Sequence, residues 1–284
     1  MTNARRLIPL ALASALVFAA PMTMLPSPGH AQIGVSITVA PPILPVYAQP
    51  VIPGDGYIWQ PGYWAWGAGG YYWVPGTWVM PPSVGLLWTP GYWGWVNGSY
   101  LWHAGYWGPH VGFYGGINYG FGYTGSGYSG GRWDNGHFFY NRAANNIGRV
   151  HVTNVYNQPI HAGASHVSFN GGTRGTRAQP NAAEQAAGNE QHSNPSPAQM
   201  QHEQAAAGRH AQFSSVNHGR PPVAASAQPA TFSGHGVVGT APQHRPQPAA
   251  AHPAVAPHAA PAPHAAPSAH PAPAQGGGKP EEHH

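Results

Sequence analysis

The motif Trp-x-x-Gly-x-Trp occurs four times in one stretch of this chain: Trp59 to Trp64, Trp73 to Trp78, Trp88 to Trp93 and Trp102 to Trp107. Successive starts lie 14, 15 and 14 residues apart. A longer period of 29 lies above it: residues 56–79 laid on 85–108 agree at 12 of 24 positions. Self-similarity at a fixed period marks reuse of one supersecondary unit. Here the unit reads as a pair of hairpins that has been duplicated.

Turn chemistry sets the expected register. Pro61-Gly62, Pro75-Gly76 and Pro90-Gly91 are turn pairs, because Pro presets φ and Gly accepts positive φ. Ala104-Gly105 takes their place in the fourth copy. With each pair at the tip of a hairpin, Trp59 opposes Trp64, Trp73 opposes Trp78, Trp88 opposes Trp93 and Trp102 opposes Trp107. Asn97-Gly98 is a strong hairpin signal and opposes Trp93 to Trp102 and Trp95 to Tyr100. Ala68-Gly69 likewise opposes Trp64 to Trp73 and Trp66 to Tyr71. The eight tryptophans then make two rows of four, with a break over residues 80–86, where Pro81-Pro82 lies. Strands of four or five residues are too short for the roughly 9–11 of a membrane-spanning β-strand. The expected fold is mainly β: a short-stranded antiparallel meander of Trp-rich hairpins, or a small two-sheet sandwich with an aromatic core. Long disordered or low-complexity segments and marginal helices complete it.

Tyr-Trp-Val-Pro-Gly-Thr-Trp at 72–78, Leu-Trp-Thr-Pro-Gly-Tyr-Trp-Gly-Trp at 87–95 and Gly-Tyr-Trp-Gly-Pro-His-Val-Gly-Phe-Tyr-Gly-Gly at 105–116 carry a resemblance. The chain resembles the YXWGXW, or WXXGXW, repeat-containing proteins. The resemblance implies an exported protein of a Gram-negative bacterium and brings no catalytic residues with it. The copy at Trp102 departs from the pattern, with His103-Ala104 in place of x-Pro.

The N-terminus agrees with export. Arg5 and Arg6 precede an apolar run over residues 7–20, and Gly29-His30-Ala31 before Gln32 fits a small-x-small cleavage site. That is the order of a secretory signal peptide, cleaved between Ala31 and Gln32. The run is shorter than the roughly 20 residues of a spanning helix. No transmembrane span is therefore expected in the mature chain. The expected location is the periplasm, the outer membrane surface or the medium.

Composition narrows the function. Only 6% of residues are Asp, Glu, Lys or Arg, and Asp55 is the one charge between Arg6 and Arg132. Beyond Arg5-Arg6 there is no basic run, so the electrostatic footprint of a nucleic-acid binder is missing. The chain has no Cys, which removes disulfides and thiolate metal sites. Gly and Pro, 39 and 33 of 284 residues, are roughly twice as frequent as usual.

The chain divides by composition. Residues 1–31 are the signal peptide, and 32–55 are a Pro-rich extended segment. Residues 56–110 are the hairpin repeat. Residues 111–172 are a Gly/Tyr-rich tract with strand-like patches. Residues 173–240 are Ala/Gln-rich with helices whose Ala faces leave them marginal alone. Ser196-Pro197 reads as an N-cap followed by Pro at the first helical position. Residues 241–284 are a disordered Pro/Ala/His tail. Ordered structure is expected to end near residue 172.

Three chemistries stand against one another. Acid–base catalysis needs positioned groups of tuned pKa. The repeat supplies only Asp55, His103 and His110, with Asp134 and His137 beyond it, so the expectation is no enzyme and no cofactor. The tryptophans Trp59, Trp64, Trp73, Trp78, Trp88, Trp93, Trp102 and Trp107 make either a core or an aromatic platform for a cell-wall or exopolysaccharide glycan. The histidines of the tail recur nearly every six residues at His252, His258, His264 and His270. In polyproline II that spacing sets them roughly 18 Å apart on one edge, which suits weak metal binding and not a closed site. The expected function is a structural or interaction role in the cell envelope, with an envelope protein or a glycan as partner.

Overall fold

The computed structural model describes residues 37–148, 150, 152–161 and 166–242. The signal peptide with its Ala31/Gln32 cleavage site, and the tail from residue 243 with its histidine series, lie outside them. The described residues up to Ala241 form one compact unit. The chain is mainly β, as expected, but among the described residues the strands assort into six small sheets and not a two-sheet sandwich.

The first motif pair folds from β1 (Ile58–Gln60), β2 (Tyr63–Gly67), β3 (Gly70–Val74) and β4 (Gly76–Val79). β2 and β3 form the hairpin expected around Ala68-Gly69, pairing Trp64 with Trp73 and Trp66 with Tyr71. β1 pairs with β4, not with β2, so Trp59 faces Trp78. The second pair repeats this with β5 (Leu87–Thr89), β6 (Tyr92–Val96), β7 (Ser99–His103) and β8 (Tyr106–Gly108). Trp93 faces Trp102 across the Asn97-Gly98 hairpin, and Trp88 faces Trp107.

The Pro-Gly pairs are therefore not hairpin tips, and the rows of four tryptophans do not exist. Each pair is a corner where one long two-stranded ribbon breaks into an inner hairpin and an outer ladder. Neither Gly62, Gly76, Gly91 nor Gly105 has a left-handed φ. The left-handed turn sits where Asn-Gly chemistry demands it, with φ of 49° at Asn97 and 85° at Gly98, the signature of a type I′ hairpin.

Beyond the repeats come β9 (Asn118–Gly120), β10 (Tyr123–Thr124), β11 (Gly131–Asp134) and β12 (His137–Asn141). β11 and β12 turn at a second left-handed pair, Asn135-Gly136. The strand-like patches appear as β13 (Val155–Tyr156), parallel to β12, and β14 (Phe169–Asn170), parallel to β6. Among its described residues the Pro-rich segment forms one bridge, Ile37 to Tyr100, and otherwise runs as a strap with Pro41, Pro45 and Pro50 buried.

Order does not end at residue 172. α1 (Ala182–Gly188) and α2 (Pro197–Ala207) both start on capping boxes, Asn181 with Glu184 and Ser196 with Gln199. Each box satisfies two backbone N–H groups that a helix start leaves open. A short α3 (Ser214–Asn217) follows, then β15 (Ala225–Ser226) and β16 (Val237–Val238). β15 adds to β4 in parallel at Gly76 and Thr77. The segment is held because it finishes the repeat: Ala206, Ala224 and Ala225 are fully buried against it. Ladder edges elsewhere are closed by two-residue contacts, Trp107 with Ser193 and Tyr72 with Phe213. Short, covered edges are how β-proteins avoid pairing with other chains.

Candidate functional site

The four motif pairs share one geometry. Ring centroids are 5.1 Å apart in Trp59–Trp78, 5.2 Å in Trp64–Trp73, 5.3 Å in Trp88–Trp107 and 5.2 Å in Trp93–Trp102. The planes cross at 52° to 69°, from tilted to the edge-on arrangement that aromatic quadrupoles prefer. Each pair joins the first tryptophan of one motif to the last of its partner. The motifs are thus read in antiparallel couples, and one motif alone builds neither pair.

The motif glycine belongs to the same crossing. A β-carbon on Gly76 would lie 2.5 Å from Cζ2 of Trp59, and one on Gly105 2.5 Å from Cζ2 of Trp88. One on Gly91 would meet Cζ2 of Trp102 at 2.5 Å and the Gly105 nitrogen at 2.8 Å. One on Gly62 would lie 2.8 Å from the Gly76 nitrogen and closer still to Trp73. So the first tryptophan of each motif packs on the glycine of the other. The invariant spacing follows: a tryptophan, a corner, and a bare α-carbon for the partner's indole.

Seven of the eight tryptophans are 5% exposed or less, and Trp102 alone is half-buried. Buried indoles need partners for their N–H groups, and the surrounding segments supply them. Trp64 donates to the Ile43 carbonyl, Trp78 to Pro50, Trp73 to Ala224 and Trp107 to Oε1 of Gln199. Trp93 donates to the Trp64 carbonyl at 2.7 Å, tying the second pair of hairpins to the first. Trp59 Nε1 is buried with no partner among the described residues. These residues build an interior, and an indole at the centre of a core offers no face to a sugar. Trp102 borders a cleft of about 450 Å³ with Tyr92, His103, Tyr106 and Phe113. There the rings are stacked on one another: Trp102 on Tyr63, Tyr92 on His103 and Tyr106 on His192.

The candidate acid–base residues are not assembled. His103 is stacked on Tyr92, and burial lowers its pKa. His110 pairs with Glu190 at 2.7 Å. Asp55 accepts from Thr153, and Asp134 from Asn135. Among the described residues no hydrogen bond joins any two of these five, and no three His, Asp or Glu side chains cluster as a metal site. No helix among them is long and apolar enough to cross a membrane.

Sequence reasoning missed the polar residues that seat α2. Gln199 accepts from Trp107 and donates to Gln60. Glu203 accepts from the hydroxyls of Tyr63 and Tyr72. Burial, with Glu203 beside them, pushes both phenols well above their ordinary pKa, so they stay donors. Gln212 donates to the carbonyls of Trp73 and Val223. The signal for this seating lay in the two capping boxes, which mark true helix starts in an otherwise featureless segment.

Crossed motif pairs of this kind define a tryptophan-rich β-repeat protein. The model of the WXXGXW repeat matches the chain in two copies, residues 54–79 and 84–107, each enclosing one crossed pair. No curated protein and no solved structure matches the chain.

Proposed function

We propose that this chain is an exported cell-envelope or secreted protein whose repeat is a scaffold for structure and interaction, and that it is not a catalyst. The observation that carries this reading is the commitment of seven motif tryptophans to the interior. The repeated residues serve the fold, so the repeat is retained for a shape and not for a reaction. Export rests on the Arg5-Arg6, apolar, small-residue order of the N-terminus. The location that follows is the periplasm, the outer membrane surface or the medium of a Gram-negative cell.

Two measurements test it. Mass spectrometry of the protein recovered from cell fractions should find Gln32 as the first residue outside the cytoplasm; intact Met1 in the cytoplasm would contradict export. Titration with peptidoglycan and exopolysaccharides should leave tryptophan fluorescence unchanged. A saturable change would move the assignment to a glycan-binding module.

A further inference from the structure

His202 sits on α2 with no exposed surface. Its Nε2 lies 2.8 Å from the Pro75 carbonyl, and its Nδ1 lies 2.8 Å from the Ala230 nitrogen. A carbonyl can only accept and a backbone N–H can only donate. The tautomer is therefore forced: Nε2–H donates to Pro75, and bare Nδ1 accepts from Ala230. The two partners lie on either side of one joint. Pro75 immediately precedes β4, and Ala230 lies in the loop between β15 and β16. That hairpin covers β4 and accepts the Trp73 indole N–H on the Ala224 carbonyl. Ala230 has φ of +57°, a left-handed conformation that alanine disfavours. The bond to His202 helps hold that strained turn.

We propose that His202 is an acid-operated latch, which holds the β15–β16 hairpin on β4 while neutral and releases it on taking up a proton. A proton on Nδ1 would set two N–H groups against each other and remove the acceptor for Ala230. Of the groups described around the ring, the Pro75 carbonyl favours the charge, but burial outweighs it. The Glu203 carboxylate is turned to Tyr63 and Tyr72. Phe232 stacks on the imidazole, and the Arg209 guanidinium lies 4.2 Å from the Phe232 centroid. Burial lowers the His202 pKa from 6.5 to about 4. Release bares Trp73 and the edge of β4, a row of backbone groups able to pair with another strand.

Hydrogen exchange on the full chain tests the latch, after correction for intrinsic rates. A group of pKa about 4 when latched and 6.5 when free makes opening roughly twentyfold more favourable at pH 5 than at pH 7. Protection of the Ala224, Ala227 and Ala230 amides should fall by that factor while the β6–β7 hairpin stays level. His202→Gln should abolish the step, and Glu203→Gln should keep it. A pH-independent hairpin, loss of protection in β6–β7 in parallel, or a step that survives His202→Gln would overturn the proposal. Should His202→Gln not fold, the imidazole nitrogen shifts of the wild-type protein decide. An Nε2–H ring still neutral at pH 5.5 supports the latch, and ordinary titration near pH 6.5 overturns it.

Discussion

Trp59 fills the space that a side chain on Gly76 would occupy, its Cζ2 lying 2.5 Å from the position of the missing β-carbon. The two residues belong to different motifs, and the same relation links Trp88 to Gly105 and Trp102 to Gly91. The glycine of the repeat is thus a seat for its partner's indole.

Gly76→Ala should therefore be costly although its φ is ordinary. Overpacking a closed core costs about 1–3 kcal/mol, and here backbone also blocks relief. Gly54→Ala is the matched control, since nothing lies within 4 Å of the added carbon and its φ is not left-handed. It should be neutral or stabilise by about 0.4–1 kcal/mol through the unfolded chain. Thermal melts of the two variants separate them.

Replacing Trp93 removes its pairing with Trp102 and its hydrogen bond to the Trp64 carbonyl. Trp93→Ala should lose about 3–5 kcal/mol. Val96, on the same strand, is 47% exposed, so Val96→Thr should stay within about 0.5 kcal/mol of the parent. Urea unfolding at neutral pH reads both.

Gln199→Ala should destabilise far more than a surface glutamine. It strands the Trp107 indole N–H and the Gln60 amide oxygen, both buried. Each buried group left without a partner costs about 1–3 kcal/mol. The expected signature is early loss of residues 173–240 to protease while the repeat survives.

Alkaline pH should reveal the buried phenols. Burial raises Tyr63, Tyr119, Tyr123 and Tyr128 above the ordinary 10.0. The folded chain then keeps protons that the unfolded chain gives up, so stability is full below pH 10 and falls as pH rises beyond it. Absorbance at the phenolate band should stay low past pH 10 and then rise together with unfolding. A smooth rise centred on pH 10 in the folded protein would contradict the burial.

What was legible in the sequence was local. Asn97-Gly98 sets its hairpin and the pair Trp93–Trp102, because a two-residue type I′ turn dictates register by itself; the Ala68-Gly69 hairpin keeps the expected register of Trp64 on Trp73, with the left-handed residue at Gly70. Pro61-Gly62 and Pro75-Gly76 were misleading for the same reason: one dipeptide serves a hairpin tip and a ribbon corner equally well. Only the contact of Trp59 with Gly76 distinguishes them, and that is a tertiary fact. Whether the tryptophans were core or platform was likewise undecided, because their cover comes from residues 37–53 and 193–240. Those segments present backbone carbonyls, Gln199, Glu203 and small alanines, and no apolar stripe betrays them. Trp102 stays half-buried where Ala104 replaces the corner proline.

The crossing of tryptophan on glycine is tested most directly by a double-mutant cycle between Trp59→Phe and Gly76→Ala on the full chain. The smaller ring vacates the place of Cζ2, so Gly76→Ala should cost much less in the Trp59→Phe background, with a coupling of about 1 kcal/mol or more. In a Trp73→Phe background, where the altered ring crosses Gly62 instead, the cost of Gly76→Ala should be unrelieved. Additive effects of Trp59→Phe and Gly76→Ala would contradict the crossed-corner account of the repeat.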